Sequence, residues 1–202
     1  MAQSRIVGAG LTVALLMAHP AAFAAPAPAM PAAPAKAASF VPADFAAPIA
    51  VEAPSFKLVP LGPALVDVDF AAYMSSIEHL QKTFTRGTDW PHKGISAADA
   101  MKDMQTEQAR FDRRQSFAYA VLTPDGTRER GSVYVSPSPI AGYDAVVKLW
   151  VTKAEYDAGF DAELYAWVTT WVQKDWPFQK VAYPGRSIDW KTWDLMVAAK
   201  RP

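Results

Sequence analysis

The densest grouping of side chains able to bind ions or move protons is Glu78, His79, Arg86, Asp89, Trp90 and His92. An imidazole titrates near neutrality and can take or give a proton, a guanidinium holds an anion, and an indole offers an apolar platform. Together they suit a pocket for a small polar molecule. The same residues also suit a plainer arrangement, in which His79 lies on a helix surface beside the apolar stripe and Trp90-Pro91 anchors a loop by packing.

Other chemistries find less support. His79 and His92 are the two histidines downstream of the amino-terminal region, there is no cysteine, and their spacing matches no zinc pattern, so no metal site is expected. No Gly-x-Ser-x-Gly elbow is present for a serine hydrolase. Trp150, Trp167, Trp171, Trp176, Trp190 and Trp193 gather in the last third. They could line an aromatic groove, but their helical and strand-core spacing reads as packing. Lysine plus arginine and aspartate plus glutamate number 20 each. That neutrality argues against nucleic acid as the partner, because phosphate binding calls for a basic face.

The start of the chain carries Arg5, then an uncharged apolar run from Ile6 to Ala18, then Ala22-Phe23-Ala24. This is the layout of a secretory signal peptide with cleavage near Ala24. The run is interrupted by His19-Pro20 before the roughly 20 residues a permanent anchor needs, so residues 1–24 are expected to be removed. The protein is then expected to be exported, to a periplasm or outside the cell. Residues 25–54 are almost all Ala and Pro and read as a disordered linker. Residues 55–202 hold enough apolar and aromatic residues for one globular domain.

Within that domain, Phe56 to Gly62 alternates as a strand. Asp67 to Phe84 places Phe70, Tyr73, Met74, Ile77, Leu80 and Phe84 on one helical stripe, and Ser96 to Arg114 opens on a capping-box pattern at Ser96 and Asp99. Phe117–Thr123 and Gly131–Ser136 are strand-like and separated by Pro124-Asp125-Gly126, which predicts a hairpin. Tyr143 to Thr152 is apolar on both faces, as a central strand would be. A helix over 161–174, a short strand over 178–183 and a helix from Ser187 complete the order β-α-α-β-β-β-α-β-α.

That order, with Leu58-Val59-Pro60-Leu61 in the first strand and the stretch Leu149 to Leu164 joining the central strand to a glycine-containing helix start, resembles the GNAT superfamily of N-acetyltransferases. The resemblance implies an α+β fold with a mostly antiparallel twisted sheet flanked by about four helices. In that family a turn of pattern (Gln/Arg)-x-x-Gly-x-(Gly/Ala) offers backbone N–H groups to the pyrophosphate of acetyl-CoA, an anion site built on a helix amino terminus. Here Gly159 keeps its place, while Tyr156 and Asp161 stand where Gln or Arg and Gly or Ala are usual. Asp161 is expected to accept the N–H bonds a phosphate would take and to repel it.

The resemblance implies a donor site at Trp150, Val151, Ala158, Gly159, Phe160, Asp161 and Ala162, with acetyl-CoA as the cofactor. It implies an acceptor site at His79, Arg86 and Trp90, and Tyr183 as the acid. The implied activity is transfer of an acyl group to a small amine. The alternative is a catalytically silent GNAT-like domain outside the cytoplasm that binds a small ligand or a protein, since acetyl-CoA is made inside the cell.

Overall fold

The computed structural model describes residues 39–200. The expected signal peptide, the start of the linker and the last two residues lie outside that range. Six strands form one sheet in chain order: β1 (Val51–Glu52), β2 (Lys57–Pro60), β3 (Phe117–Leu122), β4 (Glu129–Pro137), β5 (Ala145–Val151) and β6 (Val181–Ala182). All neighbours are antiparallel except β5 and β6, which run parallel. The helices are α1 (Val66–Met74), α2 (Ile77–Leu80), α3 (Ala97–Asp112), α4 (Lys153–Asp157), α5 (Phe160–Asp175) and α6 (Trp190–Ala199).

Strand alternation sorts the side chains onto two faces. Phe117, Tyr119, Val121, Val133, Val135, Val147, Leu149 and Val151 bury against Phe160, Leu164, Val168, Trp171 and Val172 of α5. On the other face Ala118, Ala120 and Leu122 meet Met104 of α3, and Trp150 meets Ala72, Tyr73 and Leu80 of α1 and α2. Burial on both faces accounts for the unbroken apolar reading of β5. The predicted hairpin joins β3 to β4: Gly126 takes φ 78°, and the Asp125 carboxylate accepts from the Thr127 N–H and the Thr123 hydroxyl.

The structure departs from the sequence reading in four places. Residues 39–54, assigned to the linker, are packed: Val41 is fully buried, Phe40 stacks on Phe178 at 5.2 Å, and Val51–Glu52 pairs with β2. A few Phe and Val side chains in an Ala/Pro background suffice, helped by Arg114, which donates to the carbonyls of Pro42 and Phe45. The first long helix is broken at Ser75-Ser76 and ends in a π-helical turn, Gln81–Thr85. An additional helix, α4, precedes α5, with the Thr152 hydroxyl accepting from the Glu155 N–H at its start. The last strand shrinks to two residues, and α6 begins at Trp190, capped by Asp189 rather than Ser187.

Candidate functional site between β5 and β6

Parallel pairing of β5 with β6 lasts only from Ala145 and Val181 to Val146 and Ala182. Past that point a cavity of about 300 Å³ opens, with Lys148, Leu149, Trp150 and Val151 on one wall and Pro184, Gly185 and Arg186 on the other. Asp161 of α5 and Tyr156 of α4 border one end, and His79, Lys82, Thr83, Phe84 and Trp190 complete the lining. A two-residue β6 followed by a Pro-Gly turn cannot continue the ladder, so β5 is left with an uncovered edge.

The amino terminus of α5 faces this opening. Gly159 precedes it with φ 83°, a left-handed conformation that glycine adopts without steric cost, and no side chain caps the helix. Asp161 therefore does not play the capping role expected of it. Its two carboxylate oxygens instead accept from the Arg186 guanidinium at 2.5 and 2.6 Å, and both side chains are largely removed from solvent. A bidentate pair of this kind is geometrically specific. That bond raises the already high pKa of Arg186 further, against the opposing effect of burial.

His79 sits half-buried with its ring 4.8 Å from that of Tyr156. Burial pulls the imidazole below its ordinary value, opposed by the charge of Asp161, so the ring is neutral at neutral pH. It is the one member of the expected acceptor group that lines the cavity. Trp90 packs in the core against Tyr73, Phe84 and Trp150, with ring centroids 5.2 to 6.1 Å away, which is the loop-anchor arrangement. Arg86 reaches α6, donating to both oxygens of Asp194 at 2.6 and 2.9 Å while lying 4.2 Å over the Trp190 ring. Arg86 thus ties the π-helical turn to a wall of the cavity without lining it.

Of the expected donor residues, Trp150, Val151 and Asp161 line the cavity, and Ala158, Gly159 and Ala162 are exposed around the α5 start. Phe160 is buried behind them, under the Arg130 guanidinium at 3.3 Å. Tyr183 is outside the lining: its ring packs edge-on against Tyr165, and burial raises its hydroxyl to about 12. Sequence reasoning did not single out Lys82, Lys148 or Arg186. Lys148 could have been found as the one charged residue in the apolar run Ala145–Val151, whereas nothing local marks Arg186 as the partner of Asp161. Among the described residues no group of acids, histidines or cysteines is arranged to hold a metal ion.

No protein-family model matches the sequence, and no curated protein sequence does. Solved structures do match. A ribosomal-protein-S5-alanine acetyltransferase from Vibrio fischeri superposes with a TM-score of 0.53 at 11% identity, covering 76% of this chain and 82% of that one. A ribosomal L7/L12 α-N-protein acetyltransferase in complex with coenzyme A gives 0.49 at 17% identity over 62% and 70% of the two chains. An acetyl transferase from Salmonella typhimurium that modifies the N-terminal serine of L7/L12 gives 0.46 at 15% over 61% and 67%. The first of these carries the assignment: the chain shares the α+β fold of that solved acetyltransferase.

Proposed function

We propose that the protein is an acyltransferase-like domain that moves an acyl group from acyl-CoA to a small amine bound in the cavity beside β5. The observation that carries this reading is the early end of β5–β6 pairing, which leaves a cavity between a buried central strand and the uncapped start of α5. The exposed strand edge and the α5 N–H groups offer donors and acceptors to an extended thioester arm and its phosphates. The thioester supplies an activated acyl carbon. His79, neutral and in the cavity wall, takes the proton from the attacking amine as the C–N bond forms and the C–S bond breaks. Tyr156, whose ring lies beside His79 in the same lining, protonates the departing thiolate.

A second reading keeps the fold and drops the reaction: a silent domain that binds a small ligand or a protein. The Asp161–Arg186 pair favours it, because a carboxylate already stands where a pyrophosphate would lie. Export, as the amino-terminal pattern suggests, favours it too, by separating the domain from the cytoplasmic supply of acyl-CoA.

Thermal unfolding of the chain with and without millimolar acetyl-CoA tests the first reading, since a ligand that binds only the native state raises the midpoint. A saturable rise, with thiol release on adding an amine that falls in His79→Ala, is the expected result. An unchanged midpoint refutes acyl transfer and favours the silent domain.

A further inference from the structure

Three cations line the cavity, Arg186, Lys82 and Lys148, and one of them is matched with a carboxylate. Arg186 is held by Asp161, Arg86 by Asp194 and Lys153 by Asp157. Lys82 and Lys148 line the cavity and have no salt-bridge or hydrogen-bond partner among the described residues. Lys82 is exposed, and water answers its charge. Lys148 is different. It projects from the centre of β5 on the face shared with the buried side chains Val146 and Trp150, and is itself half-buried.

A half-buried ammonium without a counter-charge is unfavourable unless something in the cavity supplies one. Desolvation, with Arg86 nearby adding repulsion, holds the Lys148 ammonium below the ordinary lysine value, so a bound anion relieves both effects. Asp161, the one acid in the lining, is already engaged by Arg186.

We infer that the cavity takes a small molecule bearing a carboxylate or phosphate, and that the Lys148 ammonium is the group that receives this anion. The inference rests on the acyl-transfer reading in one respect, which makes the anionic molecule the acceptor; the anion site itself does not need the reaction. Lys82, exposed in the same lining, adds charge without fixing geometry.

The test is the unfolding midpoint of the full chain titrated separately with succinate and with inorganic phosphate, each against chloride at equal ionic strength. Wild type, Lys148→Met, Lys148→Gln and Lys148→Arg are compared, Lys148→Met and Lys148→Gln together guarding against a variant that fails to fold. The expected result is a saturable rise in wild type with one or both anions, retained in Lys148→Arg and weakened by about tenfold or more in Lys148→Met and Lys148→Gln. The arm that responds identifies carboxylate or phosphate. No rise beyond chloride in wild type, or equal responses in wild type and Lys148→Met, overturns the proposal. Acetyl-CoA is titrated into the same proteins: a wild type that ignores it but binds succinate through Lys148 sinks acyl transfer and leaves the anion site standing.

Discussion

Asp161 and Arg186, 25 positions apart, form a bidentate ion pair at the mouth of the β5–β6 cavity, closing over the first turn of α5. The pair sets two effects against each other. Asp161 repels a phosphate approaching the helix start, while Arg186 brings to the same place a guanidinium able to hold one. Asp161→Ala is expected to lower the midpoint of the free protein, because a largely desolvated arginine loses its partner. The same change is expected to tighten acetyl-CoA binding by about tenfold, a change of about 1.4 kcal/mol. Opposite signs in the two measurements identify competition; weakened or unchanged affinity shows that Asp161 does not occupy an anion site.

Asp69 of α1 and Glu129 of β4 lie close together in the interior with 4% and 1% of their surfaces exposed. Ser132 donates to one Glu129 oxygen, the other has no hydrogen-bond partner among the described residues, and Asp103 and Glu107 of α3 add negative charge nearby. Burial pushes Asp69 up to about 7 and Glu129 well above its usual range. These groups bind protons more tightly folded than unfolded, so their contribution is fully present below pH ~4 and is lost as pH rises toward the folded values, about 7 for Asp69. Stability is expected to fall over that window by about 1.4 kcal/mol per pH unit for each proton lost. Asp69→Asn should flatten the slope in denaturant titrations; an unchanged slope places the titration elsewhere.

Local signals were legible where a few neighbouring residues decide the structure. The Ser96–Asp99 capping box, the Asp125-Gly126 turn and the two-sided burial of β5 all stand as read from the chain. Most of the late tryptophans pack, as their spacing indicated: Trp171 and Trp176 are buried in the main core and Trp193 in a smaller cluster, while Trp190 reaches the cavity. Illegible features depend on partners far along the chain. The apolar stripe runs unbroken past Ser75-Ser76, yet the helix breaks there, and the Ser76 hydroxyl accepts the Lys153 N–H. Phe40 and Val41 pack only because Phe117 and Phe178 are waiting for them. The cavity itself arises from a strand that stops early, and stopping is set by the Pro184-Gly185 turn rather than by the β propensity of the residues before it.

Gly131 of β4 pairs with Val151 of β5 and leaves no room there for a side chain. A Cβ at this position would lie 2.0 Å from the Trp150 carbonyl oxygen and 2.8 Å from the Val151 Cα. Both are backbone atoms of the strand that walls the cavity, so no side-chain rotation can relieve the overlap. Gly131→Ala is expected to cost about 3 kcal/mol or more, beyond the usual overpacking range. Urea unfolding checks it; a loss under about 1 kcal/mol would mean that the strands separate freely.

Glu155, buried in α4, accepts from Arg130 at 2.5 and 2.9 Å through one oxygen and pairs with Arg128 at 2.7 Å through the other. Arg130 also donates to the Ser55 carbonyl and covers the Phe160 ring, so one guanidinium joins β4, the segment before β2 and the base of α5. Burial alone would raise the Glu155 carboxyl, but the hydrogen bonds and charges of Arg130 and Arg128 together outweigh it and hold the group below its usual value. Its contribution is therefore present above the unfolded carboxylate value near 4 and is lost as pH falls through the lower folded one. Glu155→Ala strands the Arg130 charge and should cost about 3 kcal/mol near neutral pH. That loss should shrink as pH falls below ~4, where the unfolded carboxyl takes up its proton first, and vanish once the folded carboxyl is protonated at lower pH. Because the pair fixes the α4–α5 turn, hydrogen exchange at Ala158 to Ala162 is expected to rise in the same variant. Unchanged exchange there, alongside lost stability, would show that the α5 start is held by Asp161 and Arg186 instead.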